Sequence, residues 1–412
     1  MHIVVARAQA LLASVLVLGT ASAGVIRVDA AGGGDFTNLQ LAIDASVAGD
    51  ILLVRPGSYL GSGQPTVLVV GKGITITADP PTSTFQLNTR IVIDGVPAGQ
   101  TATLRGATTP VHTPIVGALA PGIVVTKCFG AVLIEDCIGE GSIGVGGLGL
   151  AVPGSAGILV EHSAAVSVVR STGRGGVGVN AVSGAPPGSN PASSGGPGIR
   201  VFASQVALHD CTFTGGKGGN ASGSFPAAPG GPGGLIETAF AFGAGSSFTG
   251  ATPNGNGLAI VAPVAPIRCL DTTFTAVGLG AGVLDPANAL VTIPGAARHF
   301  LVSSPVREGA SASVVIDGEP GDAALLFIGT GVGSIEIPNT VGYLQVALPI
   351  QAVFALGSLP APDGVLSFSA PAPNLVLPSL LGFASILQPY FVAGSDAIAG
   401  PPSSFVLVDS SL

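Results

Sequence analysis

Four stretches of the chain repeat one alternation of apolar and polar positions. Gly122-Ile123-Val124-Val125 leads through Cys128 to Val132-Leu133-Ile134-Glu135-Asp136-Cys137. Gly157-Ile158-Leu159-Val160 leads through Ser163 to Val166-Ser167-Val168-Val169-Arg170-Ser171. Gly198-Ile199-Arg200-Val201 leads through Ser204 to Val206-Ala207-Leu208-His209-Asp210-Cys211-Thr212-Phe213, and Gly257-Leu258-Ala259-Ile260 to Ile267-Arg268-Cys269-Leu270-Asp271-Thr272-Thr273-Phe274. Each reads as two short strands joined by a small-residue corner. One such coil cannot bury its own inner face, whereas stacked coils share a continuous core. The pattern predicts inward columns of Ile134, Val168, Leu208 and Cys269, beside Val132, Val166, Val206 and Ile267. Asp136, Arg170, Asp210 and Asp271 fall in one turn column, which reads either as a charged functional ladder or as a solvated corner.

The period is irregular because insertions follow the second strand, at 139–156, 173–197 and 215–256. They are rich in Gly, Pro, Ser, Ala and Asn. All leave the coil at nearly the same point, so they should cluster on one side, as a binding face or as tolerated loop growth. Near the N-terminus, Leu39, Ile43 and Val47 share a four-residue spacing, which predicts an amphipathic helix over 37–48 that caps the first coil. Ile51-Leu52-Leu53-Val54 is a continuous apolar run, as expected of a buried parallel strand. Around 285–298 the Gly-Ile coils stop. Short strands at Phe300, Ser313, Ala324 and Leu344 follow between turn signals such as Asp317-Gly318 and Asp363-Gly364, which suggests a β-sandwich.

The first residues read as an export signal: Arg7, an apolar run over 8–18, and Ala21-Ser22-Ala23 as a cleavage pattern. The mature chain would begin at Gly24 and be secreted or held at the cell surface. A membrane anchor is the other reading, but the run is shorter than the roughly 20 residues a span needs. The formal charge is −8 and nothing forms a basic stripe, so nucleic acid is not an expected partner. Cys128, Cys137, Cys211 and Cys269 invite a disulfide reading in an exported protein. Their spacing favours buried, inert thiols, because Cys137 and Cys211 sit two coils apart in one column.

Gly33-Gly34-Asp35-Phe36-Thr37-Asn38-Leu39-Gln40, Ala42-Ile43-Asp44-Ala45 and Ala48-Gly49-Asp50-Ile51 to Tyr59 resemble the opening coil of secreted right-handed parallel β-helix proteins. The likeness is to the pectinesterase branch of the pectin-lyase-like superfamily and covers roughly 25–60. It implies a right-handed parallel β-helix, and in that family an Asp acid/base and an Asp nucleophile on neighbouring coils. The Val-Asp-Phe-Ile-Phe-Gly-like strand that carries the second Asp is absent. So are the Asp-Asp and His-Gly motifs of polygalacturonases on this fold. Pro378-Ser379-Leu380-Leu381-Gly382-Phe383 with Gln388-Pro389-Tyr390-Phe391-Val392 resembles a C-terminal β domain of exported bacterial proteins without a known role.

Two stretches, 144–149 and 173–178, match GxGxxG, but neither opens a helix within a βαβ unit. No zinc spacing occurs, and no metal or cofactor is expected. The best acid/base candidates by chemistry are His209 with Asp210, and Glu135 with Asp136; Glu161-His162 lies nearby. The other reading of each is a solvated outward pair. Taken together, the expectation is all-β: a signal peptide at 1–23, a right-handed parallel β-helix over 24–295 and a small β-sandwich-like region over 296–412. The expected function is non-catalytic binding of carbohydrate polymers or surface components through the loop-bearing side. The alternative is a lyase, hydrolase or esterase acting on polysaccharide.

Overall fold

A computed structural model describes residues 23–59, 66–110, 120–147, 150–181, 192–222, 226–372, 374–375, 381–394 and 396–412. Residues 1–22 of the expected export signal at 1–23 and the 378–380 stretch lie outside the described residues. Three long parallel sheets of ten, eight and eight strands run through the first part of the chain. Each coil gives one strand to each sheet. Ile123–Thr126, Ala131–Glu135 and Ile138–Glu140 form one coil, and Ile158–Glu161, Ala165–Val169 and Thr172–Arg174 form the next. The chain is therefore a nearly all-β parallel solenoid, compatible with a β-helix.

The inward column lies in register as Ile134, Val168, Leu208, Gly243 and Cys269. Gly243 belongs to a coil that the sequence pattern concealed within 215–256. Gly234–Glu237, Phe240–Ala244 and Ser247–Thr249 supply its three strands. That stretch is therefore not a loop, and deleting it would remove a coil from the stack. It was hidden because Gly243 and Ala241 take positions that hold large aliphatic side chains in the neighbouring coils.

Both corners turn on a single left-handed residue. Asp136, Arg170, Asp210, Gly245 and Asp271 have φ of 54°, 45°, 56°, 59° and 47°. A left-handed residue redirects the chain from one sheet into the next within one step. The next column is Cys137, Ser171, Cys211, Ser246 and Thr272. Ser171 Oγ accepts from the Cys137 N–H at 3.1 Å, and Ser246 Oγ from the Cys211 N–H at 3.2 Å. All four cysteines are free and buried. Burial pushes the thiols of Cys137, Cys211 and Cys269 up to about 12.

Over their described residues the insertions are not open loops either. Their glycines run as extended segments that hydrogen-bond to several neighbours through the backbone. Gly216 N–H donates to the Gly196 carbonyl at 2.7 Å, Gly196 to Gly176 at 2.8 Å, and Gly231 to Gly216 at 2.8 Å. Gly175 and Gly178, three residues apart, both donate to one neighbouring segment, at Thr214 and Lys217. This three-residue step is that of an extended threefold chain.

The helix is shorter than its periodicity predicts, at Leu39–Ala45, with Asn38 as N-cap. Ser46 ends it by returning its N–H to Ala42 and Ile43, so Val47 falls outside the apolar face and is 66% exposed. Gln40 occupies the edge of the strand Thr66–Val70. It accepts from the Leu68 N–H at 2.7 Å and donates to the Leu68 carbonyl at 3.1 Å.

After the solenoid come mainly antiparallel strands, with parallel pairs at Val306–Arg307 and Thr340–Val341. His299–Val302, Ser311–Asp317 and Val365–Pro371 form a three-stranded sheet, and a seven-stranded sheet is built around Ala323–Gly329, Gly382–Ala393 and Ser403–Val408. This region shares its core with the outer face of the ten-stranded sheet. Phe242 and Leu270 cluster with Phe300, Leu326, Phe391 and Leu407. Leu133 and Val169 cluster with Val332, Leu344 and Val346, and Ile51 and Leu53 with Val406 and Val408. The ten-stranded sheet is thus buried on both faces, which accounts for its continuous apolar runs.

Candidate functional site

Glu135 ends a strand of the ten-stranded sheet, on the side facing the C-terminal strands. It is wholly buried, and its carboxylate accepts from Arg170, from the Ser403 hydroxyl and from the Ser404 N–H at 3.0 Å. Asp136, one residue later in the corner, accepts from Arg170 Nε at 2.8 Å and from Arg105 Nε at 3.1 Å. Both arginines reach on to the C-terminal region. Arg105 donates to the carbonyls of Ser404 and Val302 at 3.0 and 3.1 Å, and Arg170 to that of Phe300 at 2.7 Å. Glu135 is therefore shut off from solvent, while the Asp136 side chain is 34% exposed. The two carboxylates are the centre of an ion network that joins solenoid to cover.

His209 and Asp210 are adjacent in sequence but separate in role. His209 is buried under the cover, with Nε2 3.1 Å from Gln345 Oε1. Gln345 in turn donates to Ser167 Oγ at 2.7 Å. Burial pushes the His209 imidazole down to about 4, so it is neutral, and its Nδ1 is buried without a hydrogen-bond partner. Asp210 instead meets His299, with Nδ1 to Oδ1 at 2.8 Å. The Asp210 carboxylate raises the His299 imidazole above its ordinary value. Sequence reading missed His299 because 89 residues separate the partners. Asp271 completes the column by accepting from the Ala297 N–H at 3.2 Å. Glu161 accepts from the Thr126 hydroxyl at 3.0 Å, and His162 stands edge-on to Phe202 with ring centres 5.1 Å apart.

Two cavities open between solenoid and cover. One, of about 460 Å³, is lined by Thr75, Thr101, Thr103, Ser385 and Ser404 with Phe383. The other, of about 740 Å³, has Arg268, Glu336 and Asp396 above an apolar floor, and there Arg268 is paired with Glu336 at 3.0 Å. Among the described residues, no three His, Cys, Asp or Glu stand together so as to hold a metal ion.

A different arrangement lies on the eight-stranded sheet that feeds the glycine segments. Its last strands read Thr212-Phe213-Thr214, Ser247-Phe248-Thr249 and Thr273-Phe274-Thr275, in register. The phenylalanines point inward, with ring centres 5.2 and 5.6 Å apart. The hydroxyl residues point outward in two columns. Thr172 extends the first, and Arg174, paired with Glu140 at 2.6 Å, extends the second. The alternation of Thr with Phe was present in the sequence; its register across coils was not, because one of the three strands lies in the concealed coil.

No family model matches the chain, and no curated protein does. Among solved structures, ORF18 of Geobacillus virus E2 is similar over 77% of this chain and 74% of its own, with 10% identity and a TM-score of 0.24. At that TM-score the likeness carries no argument about fold or role.

Proposed function

We propose that this chain is an exported or cell-surface, non-catalytic protein that binds a carbohydrate polymer. In this reading the solenoid, 24–295, is a right-handed β-helix of the pectin-lyase-like kind. The C-terminal 296–412 region is a β-sandwich that covers one face and serves attachment. The observation that carries the reading is the fate of the acid and base candidates. Glu135 and Asp136 are engaged by Arg105 and Arg170, and His209 is buried and neutral. Among the described residues, the remaining dyad, Asp210 with His299, has no nucleophile hydrogen-bonded to it. The test is to incubate the full chain with a panel of neutral and acidic polysaccharides. Retention on a polysaccharide without new chain ends or released methanol is expected. Turnover of any of them overturns the non-catalytic reading.

A further inference from the structure

We infer that the outward Thr and Ser columns of the eight-stranded sheet are the binding site, and that their ligand is the surface of an ordered, neutral polysaccharide. This rests on the carbohydrate-binding reading above and assigns it a place. Thr212, Ser247 and Thr273 form one column, and Thr214, Thr249 and Thr275 the other. Neighbouring strands of a parallel sheet lie about 4.8 Å apart, and alternate residues along a strand about 6.6 Å apart. Six hydroxyl residues therefore stand on a grid of about 4.8 by 6.6 Å. Threonine is restricted at χ1, which limits the orientations that its hydroxyl and methyl groups can take from coil to coil. The stacked Phe213, Phe248 and Phe274 hold the platform from beneath. Within the grid the one side-chain hydrogen bond among the described residues is Ser247 Oγ to Thr212 Oγ1, at 3.5 Å.

Charge selects the partner. The six positions carry none, and the chain as a whole carries −8. A polyuronate or a nucleic acid would be repelled by the net charge, and Arg174, the cation that continues the second column, is already paired with Glu140 at 2.6 Å. A neutral polyhydroxylated chain can exchange hydrogen bonds with every hydroxyl. Each such contact is weak, so the grid favours a ligand that repeats and is already ordered. A rigid array engages all contacts together, whereas a short soluble oligomer engages few.

The experiment is retention of the full chain on insoluble cellulose and insoluble chitin. The comparison is a variant carrying Thr212→Val, Thr214→Val, Thr249→Val, Thr273→Val and Thr275→Val. Valine keeps the shape and the β-branching and removes the hydroxyl. Retention is expected to fall by about tenfold or more, with the melting temperature unchanged, and wild-type retention is expected to be insensitive to salt. Thr→Ser at the same five positions keeps the hydroxyls and should keep most of the retention. This second variant guards against a valine variant that fails to fold. Equal retention of the wild type and a folded valine variant overturns the assignment while leaving carbohydrate binding in place. Wild type that binds no polysaccharide, neutral or acidic, overturns the carbohydrate reading itself. Retention only on polygalacturonate, lost in salt, overturns the neutral ligand.

Discussion

Glu135 and His209 occupy equivalent places, the last residue of strands two coils apart on the covered side of one sheet with Val169 between them, and burial treats them differently. The carboxylate keeps its charge partners, because two guanidinium groups and a backbone N–H converge on it. The imidazole is hydrogen-bonded to the neutral Gln345, and its desolvation outweighs the nearby Asp210 charge, so its charged form is penalised and its pKa falls to about 4 from 6.5. The unfolded chain then binds a proton below 6.5 that the folded chain refuses. The contribution of His209 to stability is complete above 6.5 and is lost as pH falls from 6.5 towards 4. His299 acts in the opposite sense. Its raised pKa gives stability below 6.5 that is lost as pH rises through the folded value, and with its side chain 48% exposed that contribution is screened. Between about pH 7 and pH 5, urea unfolding of the wild type should show a loss of about 2 kcal/mol from His209. His209→Gln should unfold with a flatter dependence over that range. An unchanged slope would place the titrating group elsewhere.

At the scale of the elements, two kinds of glycine follow from the same composition. Gly216 lies in the backbone-bonded bundle, where an added Cβ would stand 1.9 Å from the Gly176 carbonyl oxygen. Gly243 lies in the inward column, where the nearest atoms to such a Cβ are 3.6 Å away. Gly216→Ala should therefore destabilise by about 1–3 kcal/mol, as overpacking does. Gly243→Ala should be neutral or stabilising by about 0.5 kcal/mol, because it restricts the unfolded chain. Chemical denaturation of the two variants separates a packed bundle from a set of loops; equal, small effects would mean that the glycines merely tolerate length. In the same column, Val168 is wholly buried between Ile134 and Leu208. Val168→Asp should cost about 3 kcal/mol or more, since the solenoid interior offers no counter-charge there.

For the molecule as a whole, the inward periodicity was legible and the outward partners were not. The column of Ile134, Val168, Leu208 and Cys269 could be read because large aliphatic side chains recur at one place in each repeat. The coil around Gly243 could not, because Gly243 and Ala241 remove that signal. The hint of a covered sheet was visible in Leu133, Val169 and Leu53, which are apolar where a solvated face would alternate. What covers them could not be read, since Arg105 meets Ser404 across 299 residues and Arg170 meets Phe300 across 130. Nothing local in either sequence marks such a pair. The cover also sets a physical limit on dividing the chain. A fragment ending at 295 would expose Ile51, Leu53, Leu133, Val169, Phe242 and Leu270 as one apolar face. It would also leave Glu135 without Ser403 and Ser404, and Arg105 and Arg170 without their carbonyl acceptors. A contiguous face of that kind drives association. The fragment is therefore expected to bind a hydrophobic dye and to elute as large species in size exclusion, unlike the full chain. A monodisperse fragment with the melting temperature of the full chain would show that the ten-stranded sheet holds its outer face without the C-terminal strands, and that the ion network at Glu135 attaches the cover without being needed by the solenoid.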